Sequence, residues 1–392
     1  MMIGKLKRYI KSLIKGGETS LDHENIYEDQ EDFSNKNNNK DIKILAYYLP
    51  QFHPIPENDK WHGKGFTEWT KVKAAKPLFD GHYQPHIPHE NIGYYILDNS
   101  DVLKRQALDM KKACVYGMIF YHYWFSGKLI LEKPAQLLLA SKDIEMPFAF
   151  CWANENWTRR WDGEENNVLL KQIYSINDAA EFIKYLIPFF KDDRYIKINN
   201  RPLLFIYRAN LIDSIQGYID VFAKECSKEN ICPPYIVAVQ TRGVMSPGIY
   251  GMDAAVERTL FDWGGGKIPS INKEVNTNIS NPILDYSDVK DYYCSIKKNN
   301  DYICFRSIVP NWDNTARYNE QAHIVHNSNP KIFEDWLDTI IEKTKELPED
   351  QRFIVINAWN EWGEGNHLEP DVRNGYANLN AVGRAMSKGR DK

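Results

Sequence analysis

The stretch FIVINAWNEWGEG, residues 353 to 365, joins an apolar run to a polar and aromatic segment. Its first four residues are typical of a buried strand, and Glu361 and Glu364 follow three apart. In an extended strand such residues point to opposite faces, but Gly363 and Gly365 permit a tight turn that places both carboxylates on one side. On a helical turn the Cβ atoms would lie roughly 5 to 6 Å apart, close to the roughly 5 to 5.5 Å carboxyl separation of retaining glycosidases.

The surroundings of these two carboxylates are unusual for a solvated loop. Charged side chains are mostly exposed, so a lone loop glutamate needs no function. Here the six residues from Trp359 to Glu364 hold two tryptophans as well as both carboxylates, a cluster that is difficult to bury unless it lines a cleft. Because carboxylates in apolar clefts are typical of catalytic sites, we interpret Glu361 and Glu364 as a candidate catalytic pair.

Seven other apolar runs resemble the one before this segment. The predicted strands are residues 42 to 48, 117 to 124, 146 to 152, 202 to 207, 235 to 240, 253 to 257, 303 to 309 and 352 to 359. Amphipathic stretches lie between most of them, and the predicted helices are residues 100 to 115, 177 to 191, 210 to 229, 285 to 298, 330 to 346 and 376 to 387.

Buried strands that alternate with helices predict a parallel α/β sheet. The chain has 392 residues, of which 43% are hydrophobic, enough for one large domain or two smaller ones. Eight strand and helix units predict a (β/α)8 TIM-type barrel with long βα loops over residues 41 to 392. A doubly wound open sheet is the alternative, but the turn after the first strand, YYLPQFHP at 47 to 54, carries no Gly-rich nucleotide-binding fingerprint.

In such a barrel the side chains that bind substrate should follow the C-terminal ends of the strands. Polar and aromatic residues recur there, and aromatic rings in clefts commonly stack on sugars. The predicted substrate-binding residues are Tyr47, Gln51, His53, Glu68, Trp69, Tyr121, His122, Tyr123, Trp124, Trp152, Asn154, Glu155, Asn156, Trp157, Trp312, Asp313, Asn360 and Trp362. Arg208, Arg258 and Arg317 follow other strands at the same end.

Two loops carry much of this set. The cluster WANENWTRRWDG, residues 152 to 163, holds Glu155 as an acid or hydroxyl ligand, with Arg159 and Arg160 able to bind an anion. Its asparagines and arginines could instead serve only turns and surface pairs. The insertion at 63 to 88 is rich in Gly, Pro and His, and we interpret it as a binding loop without secondary structure.

Composition argues against several classes of partner and cofactor. The net charge of −4 gives no general attraction to nucleic acid. Four histidines, His53, His82, His86 and His89, match no familiar metal-ligand spacing. Since hydrolysis by a carboxylate pair needs no metal, we predict neither a metal nor a cofactor.

The N-terminal part of the chain differs from the rest. Residues 1 to 16 form a basic amphipathic pattern that predicts either peripheral contact with an anionic membrane or a frayed helix. Residues 17 to 40 are acidic and Asn-rich, which predicts a disordered linker. Six cysteines without a CxxC pair, and no continuous apolar signal segment, favour a cytoplasmic protein. Peripheral contact with the inner membrane depends on which of the two interpretations of residues 1 to 16 holds.

With these motifs in view, the chain resembles the WbsX family of glycosyltransferases from surface-polysaccharide gene clusters, which is related to glycoside hydrolase family 99. The resemblance covers about residues 43 to 380. Its motifs are YYLPQFHP at 47 to 54, GFTEWT at 65 to 70, YQPHIP at 83 to 88, YHYWF at 121 to 125, CWANENWTRRWDG at 151 to 163, NWDNTAR at 311 to 317 and NAWNEWGEG at 357 to 365.

The resemblance implies a (β/α)8 barrel that acts on α-mannoside-like oligosaccharides or polysaccharides with retention. It implies that Glu361 deprotonates the sugar 2-hydroxyl to give a 1,2-anhydro intermediate, and that Glu364 is the acid/base at the leaving oxygen. One departure is Arg258, with a short Gly run after it, where the family suggests an apolar and Pro-rich stretch. A nucleotide-sugar glycosyltransferase and a non-catalytic sugar-binding protein stay as alternatives.

Overall fold

A computed structural model of the chain describes residues 26–159, 164–241, 246–277, 279–296 and 301–389. Its main sheet contains eight parallel strands that carry the apolar runs. In chain order they are β1 (Lys43–Tyr48), β2 (Gly117–Phe125), β3 (Phe148–Trp152), β4 (Arg201–Ile206), β5 (Tyr235–Val239), β6 (Ala254–Val256), β7 (Cys304–Ile308) and β8 (Phe353–Ile356).

The sheet closes on itself. Each strand pairs in parallel with the next one along the chain, and β8 pairs with β1 through Lys43↔Phe353 and Ala46↔Ile356. Closure removes both sheet edges. The strands are buried along almost their whole length, so they read as apolar runs rather than as alternating patterns. The predicted (β/α)8 barrel is confirmed.

Helices follow most of the strands and pack outside the barrel. They are α1 (Ser100–Lys112), α2 (Lys133–Ala140), α3 (Ile176–Phe190), α4 (Ile215–Lys228), α5 (Tyr286–Ser295), α6 (Pro330–Thr344) and α7 (Ala377–Ser387). Side chains of Asn99, Ser175, Asp285 and Asn329 accept backbone N–H bonds at the starts of α1, α3, α5 and α6. Among the described residues, no helix combines the length and the apolar character needed to cross a bilayer.

The long loop after β1 is more regular than its sequence predicts. Short helices occupy Pro56–His62 and Glu68–Ala74, the second of them inside the insertion at 63 to 88. Thr67 caps this helix through a reciprocal bond with Thr70. The prediction of an insertion without secondary structure is therefore wrong. A helix of only two turns is unstable by itself, so its formation here depends on its cap and on tertiary contacts with the site.

Residues 26–40 pack against the barrel helices. The backbone N–H of Phe33 donates to the carbonyl of Lys112 at 2.8 Å, and that of Asn38 donates to Met386 at 3.0 Å. The Phe33 ring is buried and lies where a Cβ on Gly383 would come within 2.2 Å of it. This part of the segment is thus not the disordered linker that its polar composition predicts. The amphipathic pattern of residues 1 to 16, and the rest of the predicted linker, lie outside the described residues.

Candidate active site

The chain turns sharply after β8 and presents both candidate carboxylates at the C-terminal end of the barrel. Asn360–Glu361 pairs antiparallel with Asn366–His367, and Trp362–Glu364 forms one 3₁₀ turn between them. Gly365 closes the turn with φ +54°, a left-handed conformation that glycine adopts without strain. The turn anticipated from the two glycines is confirmed, and it directs Glu361 and Glu364 toward the same neighbour.

That neighbour is Arg317, which follows β7. Its Nη2 donates to Oε2 of Glu361 at 2.8 Å, and its Nη1 donates to Oε1 of Glu364 at 2.5 Å. The guanidinium also donates to Oε1 of Glu68 from Nε at 3.0 Å and from Nη2 at 2.8 Å. One cation therefore holds three carboxylates that come from the loops after β1 and β8.

Glu68 reaches the turn from the first residue of the short helix Glu68–Ala74 and is fully buried. A Cβ atom on Gly363 would lie 1.8 Å from Oε1 of Glu68 and 2.9 Å from Nε of Arg317. Only glycine fits at position 363, because the side chain of any larger residue would displace the Glu68 carboxylate from the Arg317 guanidinium.

Burial, together with neighbouring negative charge, raises the pKa of two of these carboxylates, Glu361 and Glu68. Burial, followed by the nearby Glu364 carboxylate, raises the pKa of Glu361 to about 8, although Arg317 opposes the shift. Burial also raises the pKa of Glu68. The single charge of Arg317 cannot neutralise three neighbouring carboxylates, so the ionised form of the buried Glu361 is disfavoured at neutral pH.

A cleft opens beside these carboxylates, and its smaller lobe has a volume of about 200 Å³. Predicted residues that line it are Gln51, Tyr121, Tyr123, Glu155, Asn156, Trp157, Glu361 and Glu364. The tyrosines alternate along β2 and so share the face that points into the barrel mouth. The Trp157 ring lies 5.0 Å from the Tyr123 ring, and Glu155 forms an ion pair with Arg208.

A larger lobe of about 600 Å³ extends beyond Glu364. Trp312, another predicted residue, lines it together with Trp263, whose ring lies 5.6 Å away edge to face. The His323 ring stacks on Trp263 at 4.6 Å. Glu361 lines the smaller lobe, whereas Glu364 lines both. The two candidate carboxylates are therefore not equivalent, since Glu364 stands where the two lobes meet.

Several buried polar atoms in and beneath this cleft have no hydrogen-bond partner within the described residues. They are the side-chain amide atoms of Gln51, Nε1 of Trp157, Oγ1 of Thr158, Nε1 of Trp312, and Oε2 of both Glu68 and Glu364. Buried polar groups are normally paired. Unpaired groups in a cleft are therefore available to the hydroxyl groups of a ligand.

Tyr47 lies just below the cleft floor rather than in its wall. Its ring stacks on Tyr121 with 5.1 Å between centroids, and the guanidinium of Arg258 lies 5.5 Å from the Tyr47 centroid. Tyr47 thus supports residues that line the cleft.

Trp362 and Trp69 hold the turn from behind. The indole of Trp362 stacks on His367 at 3.7 Å and donates to Oε2 of Glu369 at 2.8 Å. Trp69 packs on Trp362 with 5.3 Å between ring centroids and donates to the carbonyl of Tyr95. Both indoles were predicted to contact substrate, but they are buried in the packing that supports the carboxylates.

Three other predicted residues face away from the barrel interior. His122 and Trp124 alternate with the inward tyrosines on β2, and their rings pack on Tyr185 of α3. Trp152 packs on Phe182 of the same helix at 4.6 Å. The prediction that these side chains contact substrate is corrected by this placement, because residues adjacent in a strand point to opposite faces.

Two further predicted residues are occupied by structural hydrogen bonds. Asn360 accepts from the backbone of Leu49 at 2.7 Å and donates to it at 3.0 Å. Asn154 makes the same reciprocal contact with the backbone of Arg208. These amides fix the loops that carry the site, and the structure places them outside the cleft.

Asp313 and His53 are also buried away from the cleft. Asp313 accepts from Gln84 and Thr315, and its Oδ2 lies 2.6 Å from Nε2 of His82. Burial lowers the pKa of His53 to about 4, which keeps its imidazole neutral. Neither residue lines the lobes of the cleft.

The described residues contain one group of three potential metal ligands, His86, His367 and Asp371, all buried. Nδ1 of His86 lies 2.9 Å from Nε2 of His367, and Asp371 accepts backbone N–H bonds from Arg373 and Asn374. The two histidines are thus paired with each other, and Asp371 is paired with backbone N–H groups. We therefore assign no metal to this group.

The predicted substrate-binding residues did not include Arg317, Tyr207 or Tyr318, although Arg317 was placed at the same end of the strands. Arg317 belongs to the quoted motif NWDNTAR, but nothing in its local context reveals that it bridges three distant carboxylates. Tyr207 and Tyr318 line both lobes. Tyr207 follows β4 directly, so its position at a strand end was the available signal. Arg160 lies outside the described residues.

Solved structures with the same fold include glycoside hydrolases. A family 99 endo-α-mannosidase from Bacteroides thetaiotaomicron superposes with a TM-score of 0.54 at 16% identity, covering 88% of this chain and 95% of that one. A glycoside hydrolase-like protein superposes with a TM-score of 0.56 at 14% identity over 96% of this chain and 98% of that one. At these identities the likeness establishes the fold alone.

Sequence relatives add a family assignment. Uncharacterized protein WxcX from two strains of Xanthomonas campestris pv. campestris is 37% identical over 353 residues, which is 89% of this chain. The chain spans about half the length of these curated relatives. The model of the family described as glycosyltransferase WbsX matches residues 44–382. On this match and the WxcX identity, the chain belongs to the WbsX glycosyltransferase family.

Proposed function

We propose that this chain makes or breaks a glycosidic bond with retention of configuration, acting on an α-mannoside-like chain during the assembly of a surface polysaccharide. The observation that carries the proposal is the shared contact of Arg317 with Glu361 and Glu364 at the mouth of the barrel. The catalytic domain would comprise residues 41 to 392. Membership of a glycosyltransferase family and a glycoside-hydrolase-like fold both support carbohydrate chemistry.

Glu361 is proposed as the base. It lines the smaller lobe, where a sugar ring would place its 2-hydroxyl against the carboxylate. Removal of the O2 proton allows O2 to attack C1, which forms a 1,2-anhydro sugar as the bond to the leaving oxygen breaks. A carboxylate with a pKa of about 8 is a stronger base than an ordinary one once it is ionised.

Glu364 is proposed as the acid/base at the leaving oxygen. It stands between the two lobes, so a glycosidic bond that crosses from one lobe to the other passes beside it. After it donates its proton to the leaving oxygen, Glu364 can remove a proton from an incoming hydroxyl group, which attacks C1 and reopens the anhydro ring. Glu361 then returns the proton to O2, and both carboxylates are restored.

The incoming hydroxyl decides between transfer and hydrolysis. A sugar acceptor seated between Trp263 and Trp312 in the larger lobe would give transfer, whereas water would give hydrolysis. Aromatic faces bind the apolar faces of sugar rings, and the unpaired polar atoms of Gln51, Trp157 and Thr158 suit their hydroxyl groups. The same two carboxylates serve either outcome.

The test is a screen of α-mannosides and related oligosaccharides, with and without acceptor sugars, followed by proton NMR of the first product formed. The proposal expects a product with the anomeric configuration of the substrate. It also expects Glu361→Gln and Glu364→Gln to lose at least about a hundredfold in rate. Inversion of configuration, or full activity in both variants, would refute it.

We also propose that the protein works in the cytoplasm, with residues 1 to 16 in contact with an anionic membrane. The free thiols of all six cysteines suit a reducing compartment. Co-sedimentation with anionic vesicles should be stronger for the full chain than for a variant that begins at residue 26. Equal sedimentation of the two would reject the membrane contact.

A further inference from the structure

Arg258 is a cation without a carboxylate partner in the described part of the chain. Glu257, which precedes it, forms an ion pair with Arg306 at 3.1 Å. Of the other arginines that follow strands at this end of the barrel, Arg317 is bound to three carboxylates and Arg208 to Glu155. The Nη1 atom of Arg258 is buried, with no acceptor among the described residues.

The guanidinium lies where the two lobes of the cleft join. Arg258 lines both lobes, as do Tyr207 and Glu364. Its guanidinium carbon lies 5.5 Å from the Tyr47 ring centroid and 5.8 Å from that of Tyr207, and these rings hold it in place by cation–π contact. A sugar bound beside Glu364 would therefore lie next to a fixed positive charge.

A buried guanidinium donor without an acceptor is unfavourable, because its desolvation is not compensated. A carboxylate matches the planar fork of the guanidinium and forms charge-assisted hydrogen bonds with it. We propose that Arg258 binds a carboxylate carried by the substrate, so that one of the two sugars flanking the reacting bond is a uronic acid or an equivalent acidic sugar. This inference rests on the proposed function, whose substrate class it narrows.

The charge balance favours a carboxylate over a phosphate. Arg258 contributes a single positive charge, and Glu364 lies at the same junction. A phosphate group with a charge of about −1.5 to −2 would meet one uncommitted cation and one acidic neighbour. A carboxylate brings one negative charge, which Arg258 alone can balance, and it therefore repels Glu364 less than a phosphate does.

A purely structural role for Arg258 is the competing explanation. Its charge opposes the rise in the pKa of Glu361, so it could serve only to balance the carboxylates of the site. That role would affect neutral and acidic sugars alike. The comparison of matched ligands that differ only in charge separates the two explanations.

The experiment measures binding of the methyl α-glycosides of mannose, mannuronic acid and glucuronic acid, and of inorganic phosphate, by ligand-observed NMR. We expect wild-type protein to bind at least one uronate about tenfold or more tightly than the neutral mannoside. Arg258→Gln should bring uronate and mannoside within about twofold of each other, whereas Arg258→Lys should keep part of the preference. The matched control is Lys43→Gln. Lys43 begins β1 and lies over the Tyr116 ring, so its loss should leave the affinities for uronate and mannoside unchanged.

Equal binding of uronates and mannoside by the wild-type protein would overturn the inference, and this comparison needs no variant to fold. A uronate preference that survives Arg258→Gln would also overturn it, and tighter binding of phosphate than of both uronates would reject the choice of a carboxylate. If Glu364→Gln abolishes turnover but the wild-type protein binds uronates and mannoside equally, the carboxylate inference fails and the proposed function stands. A charge preference that depends on Arg258, without turnover of any glycoside, would reject the proposed function instead.

Discussion

Nη2 of Arg317 lies 2.8 Å from Oε2 of Glu361, and this hydrogen bond joins the loop after β7 to the turn after β8. The same guanidinium binds Glu364 and Glu68, and the charges of all three neighbours affect the pKa of Glu361. Such electrostatic coupling allows acid and base roles to be divided between neighbouring glutamates.

The pH dependence of the reaction should follow from the raised pKa of Glu361. A base must be ionised to act, so kcat/KM should increase as pH rises through about 8. The measurement is a pH profile of kcat/KM from pH 5 to 10 on the substrate found by the screen. A rate that is already maximal at pH 6 would show that Glu361 is not the base.

The charges of Glu68 and Arg317 should move the rising limb of the pH profile, where kcat/KM increases with pH, in opposite directions. Glu68 raises the pKa of Glu361, so Glu68→Gln should shift the limb to lower pH. Arg317 lowers that pKa, so Arg317→Gln should shift the limb to higher pH and should also destabilise the fold by about 3 to 5 kcal/mol, because it leaves buried carboxylates without their cation. Shifts in the same direction for both variants would contradict the electrostatic coupling.

Gly363 offers a test that leaves every charge in place. Gly363→Ala puts a methyl group 1.8 Å from Oε1 of Glu68, so Glu68 must move away from Arg317. We expect at least about a tenfold loss in kcat and a destabilisation of about 1 to 3 kcal/mol by urea denaturation. Gly389→Ala is the matched control, because nothing lies within 4 Å of its added Cβ. Wild-type activity in Gly363→Ala would show that the position of Glu68 is unimportant.

Glu369 should stabilise the turn without taking part in the chemistry. It accepts hydrogen bonds from Trp362, Tyr95 and Gln106 at 2.8 Å each. Glu369→Leu leaves these buried donors unpaired at about 1 to 3 kcal/mol apiece, so its midpoint of urea denaturation should fall clearly. Glu145→Leu, at an exposed ion pair with Lys111, should change the stability by less than about 1 kcal/mol. Equal midpoints in the two variants would refute this role.

The eight strands were predictable to within about three residues at either end because buried parallel strands are continuous apolar runs. The carboxylate turn was also predictable, since its glycines specify it locally. The side chains that pack against this turn could not be predicted from local sequence. Arg317 is separated from Glu68 by 249 residues in the chain, and only closure of the barrel brings them together.

The period of two in a strand also predicts side-chain direction. Tyr121 and Tyr123 point into the barrel mouth, whereas His122 and Trp124 point to α3, as the period of two in a strand requires. The aromatic residues at the end of a strand therefore divide into those that face the barrel mouth and those that pack against the outer helices. Burial of Trp69 and Trp362 as support depends on tertiary contacts that no local pattern encodes.

The most direct test of the central claim is the leaving-group dependence of Glu364→Gln, measured as product release in the first turnover. Loss of the proton donor should slow cleavage of the natural glycosidic bond at least about a hundredfold. It should slow much less the release of dinitrophenolate from the corresponding dinitrophenyl glycoside, because that group leaves without protonation. Equal losses on both substrates, or no loss on either, would contradict the assignment of Glu364 as the acid.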